Sequence, residues 1–365
     1  MSFKVYVNPD DLKAVSSEWN QLVQRYSNDV SGLDITASYD WTNTLWQTRE
    51  DVAEKLVVVE KDLDTITAIL PLYKSKSKLF FLSYDTMALF SNLYGGRQGL
   101  ILSEVSQKSI ENLIGYAADH IHGWGTLTLS FVRGSTQERL CKQTLSNVGL
   151  QFELIAEAES PYIELDSNWD DFLKSMPKKL RWTMKSSEKR LREIGQVEYK
   201  HFTRSDEVDE FLEAVMIIES DSWKNEAGTA ISKNEFQENF YRHFTPSAAK
   251  NNWLSGHLLT LDGEPIAYIY GMSFGSTFYD FKESYKETYK KYSPGHVLKS
   301  FAFPELISRD ISIYDFMGKC EDYKMRWTDK KYGRVTYIVY NKTLVGKMLA
   351  LKSKLIGILR KYRKA

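Results

Sequence analysis

Three strand-like segments in close succession, followed at once by a helix and one more strand, constrain this chain more than any other feature of its sequence. Trp253–Leu261 and Ile266–Phe274 are joined by the turn residues Asp262-Gly263-Glu264-Pro265, and Ser276–Glu283 is the third segment. A helical pattern begins after Pro294, with Val297, Leu298, Phe301, Ala302 and Leu306 at helical spacing, and Ile311–Met317 reads as a strand again. The first half repeats that order of elements. Leu56–Glu60 and Ile66–Tyr73 read as paired strands around a turn at Asp62–Asp64, then come a helix at about 106–121 and a strand at Thr126–Val132. An antiparallel meander running into a helix and a further strand is an α+β arrangement, and its recurrence predicts such a domain used in tandem. The repetition lies in the order of elements, not in residue identity.

The stretch Lys290-Lys291-Tyr292-Ser293-Pro294-Gly295-His296-Val297-Leu298 places a tight turn at the start of the second helix. Pro294 suits the first helical position, because its missing N–H would go unpaired there, and Gly295 allows close approach to the backbone. First-turn amides with the helix dipole behind them favour an anion such as a pyrophosphate. A Pro-Gly turn before a helix is also commonly only a turn.

Length and composition narrow the class. The 365 residues suffice for two domains with cores of their own. Lys plus Arg and Asp plus Glu both number 48, so net charge gives no sign of bulk nucleic-acid binding, and no DNA partner is expected. Cys141 and Cys320 are too few for a disulfide framework and are not in metal-ligand spacing, which fits a reducing cytoplasm. The N-terminus lacks the apolar core of a secretory signal, and no run approaches the roughly 18 apolar residues that span a bilayer. The six histidines form no H-x-x-x-H pattern and there is no Gly-x-Ser-x-Gly elbow, so neither a zinc hydrolase nor a serine esterase is expected, and no metal.

Glu157-Ala-Glu-Ser-Pro161 interrupts the apolar pattern and sets the expected boundary: a first domain over 1–157, a second over 158–340, and a tail helix over 341–365. Just beyond it, Leu180, Met184, Leu191 and Ile194 line one side of a helix whose other side carries Lys178, Lys185, Lys189 and Arg192, with Gly195 placed to end it. That basic side is either an ordinary solvated face or a site for a polyanion.

Several segments taken together resemble a known family. Glu219-Ser-Asp-Ser-Trp-Lys224 with Gly228-Thr-Ala-Ile231, Gly263-Glu-Pro-Ile-Ala267, Phe281-Lys282 leading to Tyr292-Ser-Pro-Gly295, Asp315-Phe-Met-Gly318 and Tyr323-Lys-Met-Arg-Trp327 follow in this order. The series resembles the BioF-like branch of the GNAT acyltransferases, which includes proteins associated with cellulose and other exopolysaccharide synthesis and is related to the Fem-type aminoacyl transferases. The resemblance covers residues 160–335. Over 30–135 it rests on Ser38-Tyr-Asp-Trp41, Ala68-Ile-Leu-Pro-Leu72 and Asn92-Leu-Tyr-Gly-Gly96.

The resemblance implies tandem GNAT-like domains, each a mixed, mostly antiparallel sheet flanked by helices. It implies acyl-CoA as co-substrate in the C-terminal domain and a sugar or cell-envelope precursor as acceptor. Direct attack in a ternary complex needs a pyrophosphate site, a base and oxyanion stabilisation. Tyr292, Ser293, Pro294, Gly295, His296 and Val297 are the expected cofactor-binding residues, and Asp315 the leading base, with Asp280 and Glu283 as alternatives. Strict alternation puts Asp280 and Lys282 on one strand face and Glu283 on the other. Lys282 either contacts a substrate anion or is an edge-strand lysine. Tyr323 either packs or protonates the leaving thiolate. Trp223, Lys224 and Lys324 are the expected acceptor-binding residues, with core packing the bland reading of Trp223. A Fem-type enzyme would take its acyl group from aminoacyl-tRNA, and a non-catalytic component of a polysaccharide assembly is the alternative from another class.

From Lys342 to Ala365 there are eight basic residues and no acidic one, while Leu344, Met348, Leu351, Leu355, Leu359 and Tyr362 share one helical face. Such a helix either lies on an anionic membrane or a lipid-linked sugar, or packs back on its domain. The expected location is the cytoplasm, with contact at the inner face of the membrane under the first reading.

Overall fold

The computed structural model describes residues 1–27, 30, 32–49, 52, 54–79, 81–90, 96–165 and 168–362, with side chains of the last helix through residue 359. It divides into two compact units, Met1–Glu159 together with the chain from Tyr332 onward, and Ser160–Lys331.

In the first unit, β1 (Ser2–Tyr6) precedes α1 (Ser16–Arg25) and α2 (Tyr39–Thr48), after which β2 (Glu54–Asp62), β3 (Thr65–Leu79) and β4 (Leu82–Leu89) form an antiparallel meander. The short β5 (Ile101–Leu102) pairs with β3. Helix α3 (Gln107–His120) then crosses over to β6 (Trp124–Val132), which runs parallel to β4, and α4 (Thr136–Asn147) leads into β7 (Gln151–Glu164). Serines begin both crossover helices: Ser106 Oγ accepts from the Ser109 amide and Ser135 Oγ from the Glu138 amide. Alternate residues Leu70 and Leu72 of β3 and Leu127, Leu129 and Phe131 of β6 meet Leu113 and Ile114 of α3 in the core. Ser38 caps α2 by accepting from the Trp41 amide, and Trp41 is buried. Residues 92–95 of the Asn92–Gly96 turn lie outside the described residues.

The second unit repeats the scheme. Helices α5 (Trp169–Ser175) and α6 (Lys178–Arg192) precede β8 (Val197–Phe202), then α7 (Val208–Ser220), the one-turn α8 (Trp223–Glu226) and α9 (Glu235–Lys250). The antiparallel strands β9 (Leu254–Leu261), β10 (Glu264–Phe274) and β11 (Thr277–Tyr285) follow, α10 (Pro294–Ser308) crosses over, and β12 (Ile313–Asp315) lies parallel to β11. The last residues of β7, Tyr162–Glu164, pair antiparallel with β12. Both units are thus mixed, mostly antiparallel sheets with a helical crossover before a parallel neighbour.

Two local departures from regularity shape the second unit. Parallel pairing of β11 with β12 is confined to Thr277–Tyr279, so beyond Tyr279 the two strands part. The register between β10 and β11 also skips a residue, since Tyr270 faces Lys282 while Gly271 faces Asp280, making Phe281 a bulge. An inserted residue reverses the alternation, so the expected separation of Asp280 from Glu283 is overturned: both carboxylates reach the same lysine, Lys299.

Helix α6 buries Leu180, Met184 and Leu191 as expected, but it ends at Arg192, which leaves Ile194 exposed. Gly195 does not supply a left-handed cap. A Cβ there would stand 2.4 Å from Asp262 Oδ2, so a larger residue would have to displace the carboxylate whose Oδ1 accepts the neighbouring Gln196 amide.

The second unit ends at Lys331 and does not run to residue 340, because β13 (Lys331–Tyr340) pairs antiparallel with β6 of the first unit. Helix α11 (Leu344–Tyr362) follows it. Among the described residues no helix is long and apolar enough to cross a membrane.

Candidate active site

Where β11 parts from β12, a cavity of about 460 Å³ opens in the second unit, walled by β11, α8, the first turn of α10 and the turn at 323–327. Ser293 takes a left-handed conformation (φ 51°), which turns the chain sharply into α10 with Pro294 as its first residue. The amides of this turn are mostly engaged: Ser293 N donates to Lys290 O at 3.0 Å, and His296 N and Val297 N donate back to Ser293 O at 3.0 and 3.4 Å. Gly295 is the residue of this turn at which a ligand can approach the backbone, and Lys290 and Arg326 bring cationic side chains to the same cavity.

Nothing in the protein itself demands glycine at position 295. A Cβ would meet no atom closer than Tyr285 Cδ1 at 3.9 Å, and its φ is not among the positive ones. Gly295→Ala is therefore expected to leave stability unchanged or raise it, by up to about 1 kcal/mol on helix propensity. The apparent KM for the acyl donor should rise severalfold. Thermal unfolding and initial-rate kinetics on the same preparations check both halves.

Two buried charge clusters support the cavity. In the first, Glu219 of α7 is fully buried; its Oε1 accepts from Tyr268 Oη and its Oε2 from the Ile231 amide, each at 2.5 Å. Lys282 Nζ lies 3.3 Å and Lys224 Nζ 3.7 Å from Glu219 Oε1, and Lys224 also donates to Glu283 O at 2.6 Å. Burial pulls the Lys224 ammonium down to about 8 although Glu219 opposes the shift, so this lysine exchanges its proton near neutral pH. In the second cluster, Lys299 of α10 bridges Glu283 and Asp280, and Tyr314 Oη donates to Asp280 Oδ2 at 2.7 Å. Burial and the charge of Glu283 push the Asp280 carboxyl up to about 6. His296 is driven down to about 4 by burial and by Lys299, which keeps its ring neutral as it stacks on Trp327. Burial, followed by the charges of Glu283 and Asp280, raises the Tyr323 phenol far enough that it stays protonated. Ser284 Oγ is buried on the cavity wall with no hydrogen-bond partner among the described residues.

Of the residues singled out from sequence, Trp223, Lys224, Ser293, Gly295, His296 and Tyr323 line this cavity. Trp223 is half exposed, not core. Tyr292, Pro294, Val297, Lys282, Lys324 and Asp315 are not among its lining residues. Lys282 lies past Tyr279, where β11 is paired with β10 and has left β12, but its side chain does not point to solvent as an edge-strand lysine would: it turns to Glu219 and to Thr229 O at 3.0 Å. Asp315 is fully buried and its Oδ1 accepts from the Met317 amide, fixing the left-handed turn at Met317. Lys324 Nζ donates to Met317 O in the same turn, and the 322–327 segment is a series of turns, so Tyr323 and Trp327 do not share a helical face. Sequence reasoning missed Glu219, Tyr268 and Lys299. A glutamate amid apolar α7 residues and a lysine amid apolar α10 residues were the available signals. Among the described residues no group of three or more His, Cys, Asp or Glu is arranged to hold a metal ion.

The acetyltransferase (GNAT) domain family matches residues 178–325. No curated protein matches the sequence significantly. Among solved structures, FemX superposes with a TM-score of 0.63 at 12% identity, covering 92% of this chain and 97% of that one. The C-terminal domain of a putative lysylphosphatidylglycerol synthetase from Agrobacterium fabrum gives 0.53 at 10% identity, covering 94% and 96%. L-PGS from Bacillus licheniformis gives 0.51 at 13% identity, again covering 94% and 96%. At such identities these three show a shared fold. The cavity, apart from Arg326 and Trp327, and its charge clusters thus lie within the segment that matches the acetyltransferase (GNAT) domain, and the chain is an acyltransferase.

Proposed function

We propose that the second unit moves an acyl group from acyl-CoA to an amine, or a hydroxyl, of a sugar or cell-envelope precursor in the cytoplasm, as the resemblance to the exopolysaccharide-associated branch suggests. The observation that carries the chemistry is the position of Glu283, a carboxylate on the cavity wall, at the point where β11 parts from β12 and opposite the first turn of α10. The parted strand offers main-chain groups along which an extended thioester arm can lie. With the thioester carbonyl beside Glu283, the acceptor nitrogen attacks, its proton passes to the carboxylate, and the tetrahedral intermediate collapses with loss of the thiolate. Tyr323, which stays protonated, donates a hydrogen bond to that thiolate, and the proton taken up by Glu283 passes to the sulfur to release the thiol. Trp223 at the rim offers a flat face to a sugar ring beside the Lys224 ammonium.

Glu283→Gln keeps the shape and removes the base, so kcat should fall by about a hundredfold or more, with little change in the KM for acetyl-CoA. Thiol release from acetyl-CoA in the presence of a panel of amino sugars measures this. Full activity in the variant would refute the assignment of Glu283.

A second reading, transfer from aminoacyl-tRNA, is favoured by a separate feature. The amides at the start of α10 are mostly engaged internally, while α6 presents Trp182, 69% exposed, among Lys178, Lys179, Lys185 and Lys189, a stacking ring within a basic face. Thermal-shift titration with acetyl-CoA, longer acyl-CoAs and charged tRNA separates the two. Stabilisation by CoA thioesters alone supports the first reading, and stabilisation by charged tRNA alone supports the second.

A further inference from the structure

Helix α11 belongs to the first unit and touches it along one side only. Ala350 is buried, the Ser353 hydroxyl donates to Glu153, Leu349 lies within reach of Gly125, and Gly346 sits so close to Asn341 that a Cβ would stand 2.1 Å from its carbonyl oxygen. At about 100° per residue these four positions occupy one side of the helix. The opposite side is apolar and open. Leu344, Leu351, Leu355, Ile358 and Leu359 fall there within an arc of roughly 100°, and each is at least half exposed, with Leu344 at 72%. Lysines border this stripe on both edges, Lys347 and Lys354 on one and Lys352 on the other, and all three are exposed. The sequence from Lys342 onward has eight basic residues and no acidic one.

We infer that α11 is a membrane-surface helix that seats the first unit on an anionic lipid leaflet. An outward stripe of five large aliphatic side chains is costly in water, and a polar rim of only positive charge selects what covers it. An apolar stripe edged by lysines matches the boundary between acyl chains and anionic headgroups: the leucines enter the hydrocarbon margin while the ammonium groups reach up to the phosphates. Each lysine near such a surface adds an attraction that falls off within a Debye length. The helix is not long and apolar enough to cross the bilayer, so it lies along it. This inference rests on α11 alone and stands apart from the assignment of donor and acceptor in the second unit.

The test is co-sedimentation of the full chain with vesicles of phosphatidylcholine alone or with 30% phosphatidylglycerol. Three proteins are compared: the unaltered chain, L351S/L355S/L359S and K347E/K352E/K354E. The unaltered chain should bind the anionic vesicles at least tenfold more tightly than the neutral ones, and should weaken as salt rises from 0.1 to 0.5 M. Both triple variants should lose most of that binding while keeping the parent's circular dichroism and unfolding temperature, because all six altered residues are exposed. No binding by the unaltered chain, or binding that the leucine variant retains in full, would overturn the inference. So would self-association in light scattering that the leucine variant abolishes, since a second copy would then be what covers the stripe.

Discussion

Replacing Lys299 by methionine is expected to destabilise the second unit by roughly 3–5 kcal/mol at pH 7.5, and to do so much less at pH 5. Lys299 is 2% exposed, paired with Glu283 and 3.7 Å from Asp280 Oδ2, and surrounded by the rings of Tyr314, Phe316 and Trp327 at 5.7–5.9 Å. Methionine keeps most of the volume, so packing changes little. What changes is charge. Two carboxylates are left beside each other in a buried site without their shared cation. The pH dependence has a definite sign. The Asp280 carboxyl is already raised from 3.8 to about 6 in the folded protein, so its contribution to stability is present below pH 3.8 and is lost as pH rises through about 6. Without Lys299 the carboxyl rises further and the loss at high pH deepens, while at low pH protonation removes the repulsion. Urea unfolding of both proteins at pH 5 and 7.5 measures the difference. Equal deficits at the two pH values would show that the lysine acts through packing alone.

That cluster also shows where sequence reasoning stops. The meander, the crossover helix and the start of α10 at Pro294 were legible because period-two and period-3.6 patterns and a Pro at the first helical turn are local signals. The bulge at Phe281 was not, since the skipped pairing depends on β10, and it alone decides that Asp280 and Glu283 meet at one lysine. The role expected of Asp315 rested on its place at a strand end. Its carboxylate instead holds the Met317 turn, a local hydrogen bond that competes with any reach toward the cavity. The return of β13 to the first unit was equally hidden, because nothing in the strand's own residues specifies which sheet it joins. By contrast, the face of α11 that Leu344, Leu351, Leu355 and Leu359 share could be read from spacing alone. Only the packing of Ala350 and Ser353 shows that this face is the outward one.

The second large effect is expected from Glu219, buried behind the wall that Lys224 and Tyr268 form. Glu219→Ala removes the anion that holds Lys224 and Lys282 and leaves Tyr268 Oη and the Ile231 amide without their shared acceptor in a buried site. Orphaned polar groups and two facing ammonium groups together should cost about 3–5 kcal/mol and loosen the 223–231 segment, which carries Trp223 and Lys224 to the cavity. Glu219→Gln separates the two causes. Its amide keeps a carbonyl oxygen for one of the two donors, so the loss of stability should be smaller. With the negative charge gone, however, burial acts unopposed on Lys224, whose ammonium should fall further below its present value of about 8. The rate of Lys224 modification by an amine-reactive acylating reagent, followed by mass spectrometry as a function of pH, reports that shift directly. In the glutamine variant the rise of the rate should move to lower pH, while calorimetry shows it folded. An unmoved profile would mean that Glu219 does not set the charge of Lys224, and the acceptor wall would have to be ordered by Tyr268 and the 229–231 backbone instead.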